Sequence, residues 1–228
     1  MDKQKVNVPG AEEFAQPRSR KNFFKALAVA GAGAAAGSVA FSREAGAQAG
    51  GDIEIANFAL TLEYLEAEFY GLALDTGLLS GDALAVVEAL FDHESQHVDA
   101  IIGLIEQFGG TPVAKPEFVF PPESLASQGA ILETAATLEP VGVGAYLGAA
   151  VLIKSPEVLA AAGSIAGVEG EHVVAVNNLL GGLPAAVEAF PAALTMDEVL
   201  AAVSPFIMGG MMETGGAQYR ERSSFGRV

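Results

Sequence analysis

Two Glu-x-x-His motifs occur in the sequence, one at Glu94–His97 and the other at Glu169–His172. Residues three apart in a helix lie on the same face, roughly 5–6 Å apart at their Cβ atoms. The glutamate and the histidine of one motif can therefore reach the same metal ion. One pair of this kind occurs often by chance, but two matched pairs in one chain favour a binding site over coincidence.

A further glutamate precedes each motif at nearly the same distance. Glu63 stands 31 residues before Glu94, and Glu139 stands 30 residues before Glu169. Each of the four falls near the middle of a predicted helix, so all four are expected to meet at one level of a helical bundle. Bundles that hold two metal ions between four helices have this ligand pattern. The predicted metal ligands are Glu63, Glu94, His97, Glu139, Glu169 and His172.

Four carboxylates and two imidazoles supply oxygen and nitrogen donors with a charge of about minus four, which suits two divalent iron or manganese ions better than zinc or calcium. Burial of four carboxylates in an apolar core is strongly unfavourable unless cations neutralise them. The alternative, solvated charges on helix faces, does not explain why these residues interrupt apolar stripes at matched depths. The sequence therefore predicts a binuclear iron or manganese site that activates dioxygen or peroxide.

The first motif overlaps a second signature, because His93–His97 reads His-Glu-x-x-His, the pattern of zinc proteases. In that alternative the two histidines bind zinc and Glu94 is the general base. However, the second motif has Val168 at the position of the leading histidine, and the third histidine of the chain, His172, already belongs to that motif. The zinc metalloprotease is therefore the weaker alternative. His93 is then a structural residue, a neighbour of the ligands or an extra ligand.

Two tyrosines lie near the predicted ligands. Tyr70 and Tyr146 each stand seven residues, or two helical turns, after Glu63 and Glu139. Both are expected to face the interior that contains the metal site. Their hydroxyl groups can hydrogen-bond the metal-binding carboxylates or carry a radical; the alternative is a pair of core tyrosines with satisfied hydroxyls.

One helical turn after Glu63, Glu66 is a rival for the ligand position of the first helix. The counterpart of Glu66 in the third predicted helix is Gly142, whereas the counterpart of Glu63 is Glu139. The matched spacing therefore favours Glu63.

Apolar residues at helical spacing predict four long helices and a shorter fifth one. The long helices are predicted over about 53–75, 83–108, 125–153 and 156–180. The fifth begins at the capping box Thr195–Glu198. Short turns join each pair of helices, whereas 111–123, with four prolines, forms a long crossover. Two hairpins joined in this way define an all-α, ferritin-like four-helix bundle followed by a C-terminal helix.

The two predicted hairpins are similar to each other in sequence. The first contains Thr61–Glu63, which matches Thr137–Glu139 in the second, and a tyrosine follows seven residues after each glutamate. The segment Glu94–Ala100 likewise matches Glu169–Ala175. These matches indicate a duplicated hairpin.

These segments resemble the ferritin-like domain proteins that include the plant desiccation-related proteins and many bacterial twin-arginine substrates. The resemblance covers about residues 53–180 and is carried by Leu62–Tyr70, Asp92–Val98, Leu138–Tyr146 and Glu169–His172. It implies the bundle fold and a role in oxidative or desiccation stress, although most members have no assigned activity. Pro140 departs from the family pattern and predicts a kink in the third helix.

The first 49 residues have the features of a signal peptide. The basic segment Ser19–Lys25 precedes an apolar stretch over 26–41, and small residues allow cleavage after Ala47 or Ala49. The basic segment resembles a twin-arginine signal with Lys21 in place of the second arginine, and an ordinary secretory signal is the alternative. Either predicts a protein of the periplasm, cell envelope or exterior; the first predicts the twin-arginine translocase as a partner. The predicted organisation is a signal peptide over 1–49, a ferritin-like domain over 50–215 and a loose tail over 216–228.

Acidic residues dominate the chain, whose formal net charge is −16. Removal of residues 1–49 takes away 7 of the 12 basic and 4 of the 28 acidic residues, which leaves −19. This charge argues against a nucleic-acid partner and against binding to anionic membranes. The stretch over 26–41 is too short and too rich in glycine for a good transmembrane helix. No stable membrane insertion of the mature chain is expected. With no cysteine, disulfides and thiolate metal sites are excluded. These features do not decide between a monomer and a homo-oligomer.

Two functional hypotheses follow from the residues together with what the resemblance and the export signal imply. The leading one is an exported di-metal oxidoreductase that consumes peroxide or oxidises ferrous iron in stress protection. The alternative is a non-enzymatic desiccation or stress protein in which the metal ions only stabilise the bundle.

Overall fold

The computed structural model describes residues 43–182 and 188–207. The described residues from Gly46 onward belong to one compact unit. The twin-arginine-like segment Ser19–Lys25 and the tail over 216–228 lie outside the described residues.

Five α-helices make up most of the described chain. They are α1 Arg43–Asp75, α2 Gly81–Gln107, α3 Gln128–Ala150, α4 Pro156–Leu179 and α5 Met196–Val203. Two 3-10 turns, Pro122–Leu125 and Ser204–Phe206, precede α3 and follow α5. Within residues 43–182 and 188–207 no strand forms, although Phe118 and Ile207 make an isolated antiparallel bridge. The predicted all-α fold is confirmed.

The helix ends follow the local capping residues. Ser155 accepts a hydrogen bond from the backbone N–H of Val158 and is followed by Pro156 at the first helical position, as expected for the start of α4. Thr195 and Glu198 form both bonds of the predicted capping box of α5.

Predicted and observed helix boundaries differ most at the starts of α1 and α3, and α3 also ends at Ala150 instead of about residue 153. The third helix was expected from about residue 125, but Ser127 accepts a hydrogen bond from the N–H of Ala130 and so begins α3 at Gln128. The first helix begins at Arg43 instead of about residue 53, so the two predicted cleavage positions fall within the first turns of α1. Cleavage at these positions stays a prediction.

Apolar residues form two core clusters, and the four motif-bearing segments lie between them. On α1 the order along the chain is Leu60 of one cluster, Glu63, then Phe69 of the other. On the antiparallel α2 the order is reversed: Val87 precedes Glu94, and Ile101 follows His97 in the other cluster. The order on α3 matches that on α2, with Ile131 before Glu139 and Tyr146 after it, while α4 matches α1. The bundle therefore has a polar layer between two apolar ones.

The helix α3 continues through Pro140, which is exposed.

Close contacts of α3 explain part of its glycine content. A Cβ atom at Gly148 would lie 1.8 Å from the carbonyl oxygen of Leu194, and the Leu194 N–H donates to the carbonyl of Gly144. The segment before α5 can pack this closely on α3 only because these positions lack side chains.

A buried aspartate ties the start of the bundle to its second hairpin. Asp52 is 2% exposed and accepts hydrogen bonds from the backbone N–H groups of Lys154 and Ser155, at 3.0 and 2.7 Å.

Among the described helices, α4 alone is long and apolar enough to cross a membrane by length and composition. Core helices of soluble proteins share this length and composition.

Candidate metal centre

The structure brings all six predicted ligands together in the polar layer. They come from four helices: Glu63 from α1, Glu94 and His97 from α2, Glu139 from α3, and Glu169 and His172 from α4. The four glutamates are 0% exposed, and the two histidines are buried as well. Such burial of four carboxylates at one level is the feature that the spacing of the motifs predicted.

The six residues form two overlapping groups, and within each group the ligand atoms lie within 4.8 Å of one another. The groups are Glu63, Glu94, His97 and Glu169, here called the His97 half-site, and Glu94, Glu139, Glu169 and His172, here called the His172 half-site. Only the glutamates of the two motifs belong to both groups. These two glutamates would therefore bridge two bound ions, and the other two would be terminal ligands.

In the His97 half-site one ring nitrogen faces three carboxylates. The Nδ1 atom of His97 lies 3.1 Å from Oε2 of Glu63, 3.0 Å from Oε2 of Glu94 and 3.3 Å from Oε1 of Glu169. A single N–H group cannot satisfy three acceptors. A cation placed among these four atoms would interact favourably with all of them.

The His172 half-site repeats this arrangement. Nδ1 of His172 lies 2.9 Å from Oε1 of Glu94, 3.2 Å from Oε2 of Glu139 and 3.9 Å from Oε2 of Glu169. Glu94 and Glu169 thus direct one carboxylate oxygen to each half-site. This division of oxygens is what a carboxylate that bridges two ions requires.

Three oxygens of the bridging residues test whether the site fits metal ions. Oε1 of Glu94 and both carboxylate oxygens of Glu169 are buried without a hydrogen-bond partner of acceptable geometry among the described residues. An unsatisfied buried carboxylate oxygen is strongly unfavourable. The buried Glu/His group can hold metal ions, which would satisfy these oxygens and neutralise the charge.

Several carboxylates and both histidines of the cluster have strongly shifted pKa values, because they are buried next to one another. Burial raises the pKa of Glu63 to about 8, and burial together with the charge of Glu94 raises the pKa of Glu169 well above its usual value. Burial also acts to raise the pKa of Glu94, but the close contacts of its two oxygens with the ring nitrogens of His172 and His97 outweigh it and hold that pKa below the usual range. Carboxylate partners likewise overcome burial at the histidines and raise the pKa of His97 to about 12 and that of His172 to about 10.

The two tyrosines bind the terminal glutamates crosswise. Tyr146 of α3 donates a hydrogen bond to Oε1 of Glu63 on α1, and Tyr70 of α1 donates to Oε1 of Glu139 on α3. In each glutamate the other oxygen, Oε2, faces a histidine. Burial, followed by the charge of the partner carboxylate, raises the pKa of both tyrosines well above the usual value. Both hydroxyls therefore stay protonated and act as donors.

His93 lies behind the His172 half-site. Its Nδ1 atom is 2.9 Å from Nε2 of His172, and the two rings are stacked at an interplanar angle of 13°. Within the described residues, neither group of candidate ligand atoms contains His93 together with His97. The bond between His93 and His172 also engages His93 away from the carboxylates. This geometry gives no support to the zinc-protease alternative.

Glu66 is buried beside the half-sites but belongs to neither group. A Cβ atom at Gly142 would lie 3.4 Å from Oε1 of Glu66 and 3.0 Å from Oε2 of Glu169. The glycine thus leaves space where the carboxylates of α1 and α4 approach α3. Burial and the charges of Glu169 and Glu139 raise the pKa of Glu66 well above its usual value. The sequence indicated Glu66 only as a rival of Glu63 for one ligand position and did not predict that both are buried at the site; the Glu66–Gly142 mismatch in the repeat was the one signal.

An apolar cavity of about 40 Å³ adjoins the site. Residues from all four long helices line it, including Tyr146, whose hydroxyl binds Glu63. Six alanines leave the space: Ala56, Ala59, Ala145, Ala149, Ala161 and Ala162. The apolar lining offers no hydrogen-bond partner to an ordered water and suits a small apolar molecule.

The fold and the buried carboxylate–histidine group define a four-helix bundle with a candidate binuclear metal centre. Residues 51–182 match the ferritin-like domain family, and the chain belongs to that family. A solved structure of a conserved hypothetical protein from Mycobacterium tuberculosis is similar, with a TM-score of 0.54 and 18% sequence identity. The similarity covers 63% of this chain and 99% of that one and supports the fold alone. No curated protein matches the chain in sequence.

Proposed function

We propose that this protein is an exported di-metal protein that binds two iron or manganese ions and consumes peroxide or oxidises ferrous iron in stress protection. The observation that carries the proposal is the pair of bridging glutamates, Glu94 and Glu169, each of which directs one oxygen to each half-site. A merely solvated acidic cluster has no reason to divide its oxygens in this way.

Each residue type has a distinct part in the proposed site. Glu63 and Glu139 would each hold one ion through Oε2, while the tyrosine bound to Oε1 keeps the carboxylate in place. The Nδ1 atoms of His97 and His172 would complete the two half-sites. When bound, two redox-active ions would supply the two electrons that reduce one hydrogen peroxide to two waters with the uptake of two protons. Oxidation of a second hydrogen peroxide to dioxygen, with release of two protons, would return these electrons. Oxygen and imidazole donors suit iron and manganese.

The test compares the metal-reconstituted protein with free metal at the same concentration. Peroxide decay and ferrous oxidation are measured for the wild type, Glu94→Ala and Glu169→Ala, with Glu171→Ala as the control. Glu171 is exposed on α4, two residues from the bridging position, so its removal should leave the activity unchanged. We expect the wild type to exceed free metal and both bridging variants to fall to the free-metal rate.

A non-enzymatic stress protein is the second candidate, because complete burial of the four glutamates is also what a stabilising metal site requires. This candidate predicts that metal raises the thermal stability while the wild type reacts no faster than free metal. A wild-type rate equal to that of free metal with both substrates would therefore exclude the proposed activity and leave the metal site in place. The same assay without dissolved oxygen tests whether dioxygen, which suits the apolar cavity, is the oxidant of ferrous iron.

A further inference from the structure

The two half-sites differ in the residue behind the histidine. Nε2 of His172, the ring nitrogen that points away from the carboxylates, lies 2.9 Å from Nδ1 of His93. His93 directly precedes the bridging Glu94, and Val168 stands at the matching position before Glu169 in the second hairpin. A valine side chain has no hydrogen-bonding atom, so the duplicated hairpins supply this contact to only one of the two histidines.

This contact lies where the remaining proton of His172 would sit if its other nitrogen bound a cation. Nδ1 of His172 faces the oxygens of Glu94 and Glu139, so it can bind a cation there only with its lone pair free. The proton of the neutral ring must then sit on Nε2, where Nδ1 of His93 can accept it in a hydrogen bond. A hydrogen bond to the outer N–H of a ligating histidine orients the ring and increases its basicity.

We propose that His93 is a positioning residue that selectively strengthens metal binding at the His172 half-site. The inference rests on the proposed metal function, and it adds that the two ions are bound unequally although the hairpins are duplicated. The accepting atom is Nδ1 of His93, and the group it would accept from is the N–H at Nε2 of His172.

The matched variants are His93→Asn and His93→Leu in the full chain. The side-chain oxygen of asparagine can take the place of Nδ1 as the acceptor, whereas leucine has nearly the same shape and no acceptor. Both variants lack the Nε2 atom of His93, and the half-exposed position should tolerate both. Manganese binding is followed by calorimetry and by the electron paramagnetic resonance signal of free Mn²⁺.

We expect His93→Leu to weaken one of the two manganese binding constants by about 10- to 100-fold, the usual effect of removing such a partner. The other constant should stay within about twofold, and His93→Asn should recover most of the loss. In a His97→Ala background the leucine substitution should still weaken binding, whereas in a His172→Ala background it should have no effect.

Equal binding by the leucine and asparagine variants, or equal weakening of both constants, would overturn the inference. If wild type binds two manganese ions and His93→Leu binds them unchanged, this inference alone fails. If wild type binds none, the proposed metal function fails as well. Circular dichroism of the metal-free variants shows that each is folded, and the comparison of leucine with asparagine is decisive without the histidine-deleted backgrounds.

Discussion

Tyr70 on α1 donates a hydrogen bond to the carboxylate of Glu139 on α3, 69 residues further along the chain. Tyr146 on α3 returns the same contact to Glu63 on α1. Each half of the duplicated chain thus supplies the tyrosine for the terminal glutamate of the other half. The two hairpins are therefore joined through the candidate metal centre as well as through the apolar core.

Loss of either hydroxyl should destabilise the protein. Tyr70→Phe and Tyr146→Phe each leave a fully buried carboxylate oxygen without its donor, so we expect each to lower the free energy of unfolding by about 1–3 kcal/mol. Urea denaturation followed by circular dichroism measures the change. Tyr64→Phe, at a half-buried position on α1, is the control and should change it by less than about 0.5 kcal/mol. Equal effects for all three variants would argue against a special role of the crosswise pairs.

Glu169→Gln should have opposite effects with and without metal. Both oxygens of Glu169 lack hydrogen-bond partners in the metal-free site, and a neutral side chain of the same shape relieves repulsion from the other carboxylates. We expect a higher melting temperature than wild type without metal. At a manganese concentration 100-fold above Kd, the free energy of unfolding of the wild type should rise by about 2.7 kcal/mol, and that of the variant should rise far less. Glu171→Gln, at an exposed position, should behave as wild type in both conditions; a variant that is less stable without metal would contradict the prediction.

Stability without metal should fall as the pH rises from about 5 to about 8. Because the pKa of Glu63 rises from 4.5 to about 8 on folding, the folded state keeps a proton that the unfolded state releases in this range. Linkage gives a loss of about 1.4 kcal/mol per pH unit for each such group. The pKa of His172 is raised from 6.5 to about 10, so this residue also lowers the stability as the pH rises above 6.5.

Metal ions displace these protons, so the stabilisation by manganese should grow over the same pH range. Thermal melts at several pH values with and without manganese measure both trends. Two results would contradict these predictions: a metal-free melting temperature that rises from pH 5.5 to 8, or a stabilisation by manganese that decreases over the same range.

Glu63 and Glu66 should differ in their effect on metal stoichiometry. Glu63 belongs to the His97 half-site, whereas Glu66 belongs to neither half-site. We expect Glu66→Gln to retain two manganese ions per chain and Glu63→Gln to lose most of the binding at the His97 half-site. Equilibrium dialysis with metal analysis measures the number of bound ions. Loss of one ion in Glu66→Gln alone would reverse the assignment of the α1 ligand.

Export should depend on the basic segment near the N-terminus. This prediction rests on the resemblance of Ser19–Lys25 to the twin-arginine signal. Arg20→Lys combined with Lys21→Gln should leave the protein in the cytoplasm, and so should deletion of the translocase in the host. Cell fractionation measures the distribution. Normal export in both cases would identify an ordinary secretory signal instead.

The fold class and the six candidate ligands could be predicted from the sequence because their signals are local or repeated. A glutamate and a histidine three residues apart share a helix face in any α-helix, so Glu94 and His97 were expected to act together before any packing was known. The internal repeat then selected Glu63 over Glu66, since only Glu63 has a glutamate as its counterpart. Capping residues such as Ser155 likewise act on their own helix and marked its start correctly.

Only the tertiary structure decided which side chains meet across helices. The partner of Tyr70 depends on the relative rotation and depth of α1 and α3, and neither is encoded in residue spacing, so the crosswise pairing with Glu139 could not be predicted. The contact of His93 with His172 likewise joins α2 to α4 across the bundle. The burial of Glu66 has the same origin, because the space beside it exists only where α3 presents Gly142. Sequence determines what each helix offers on each face, whereas packing of the four helices determines what that face meets.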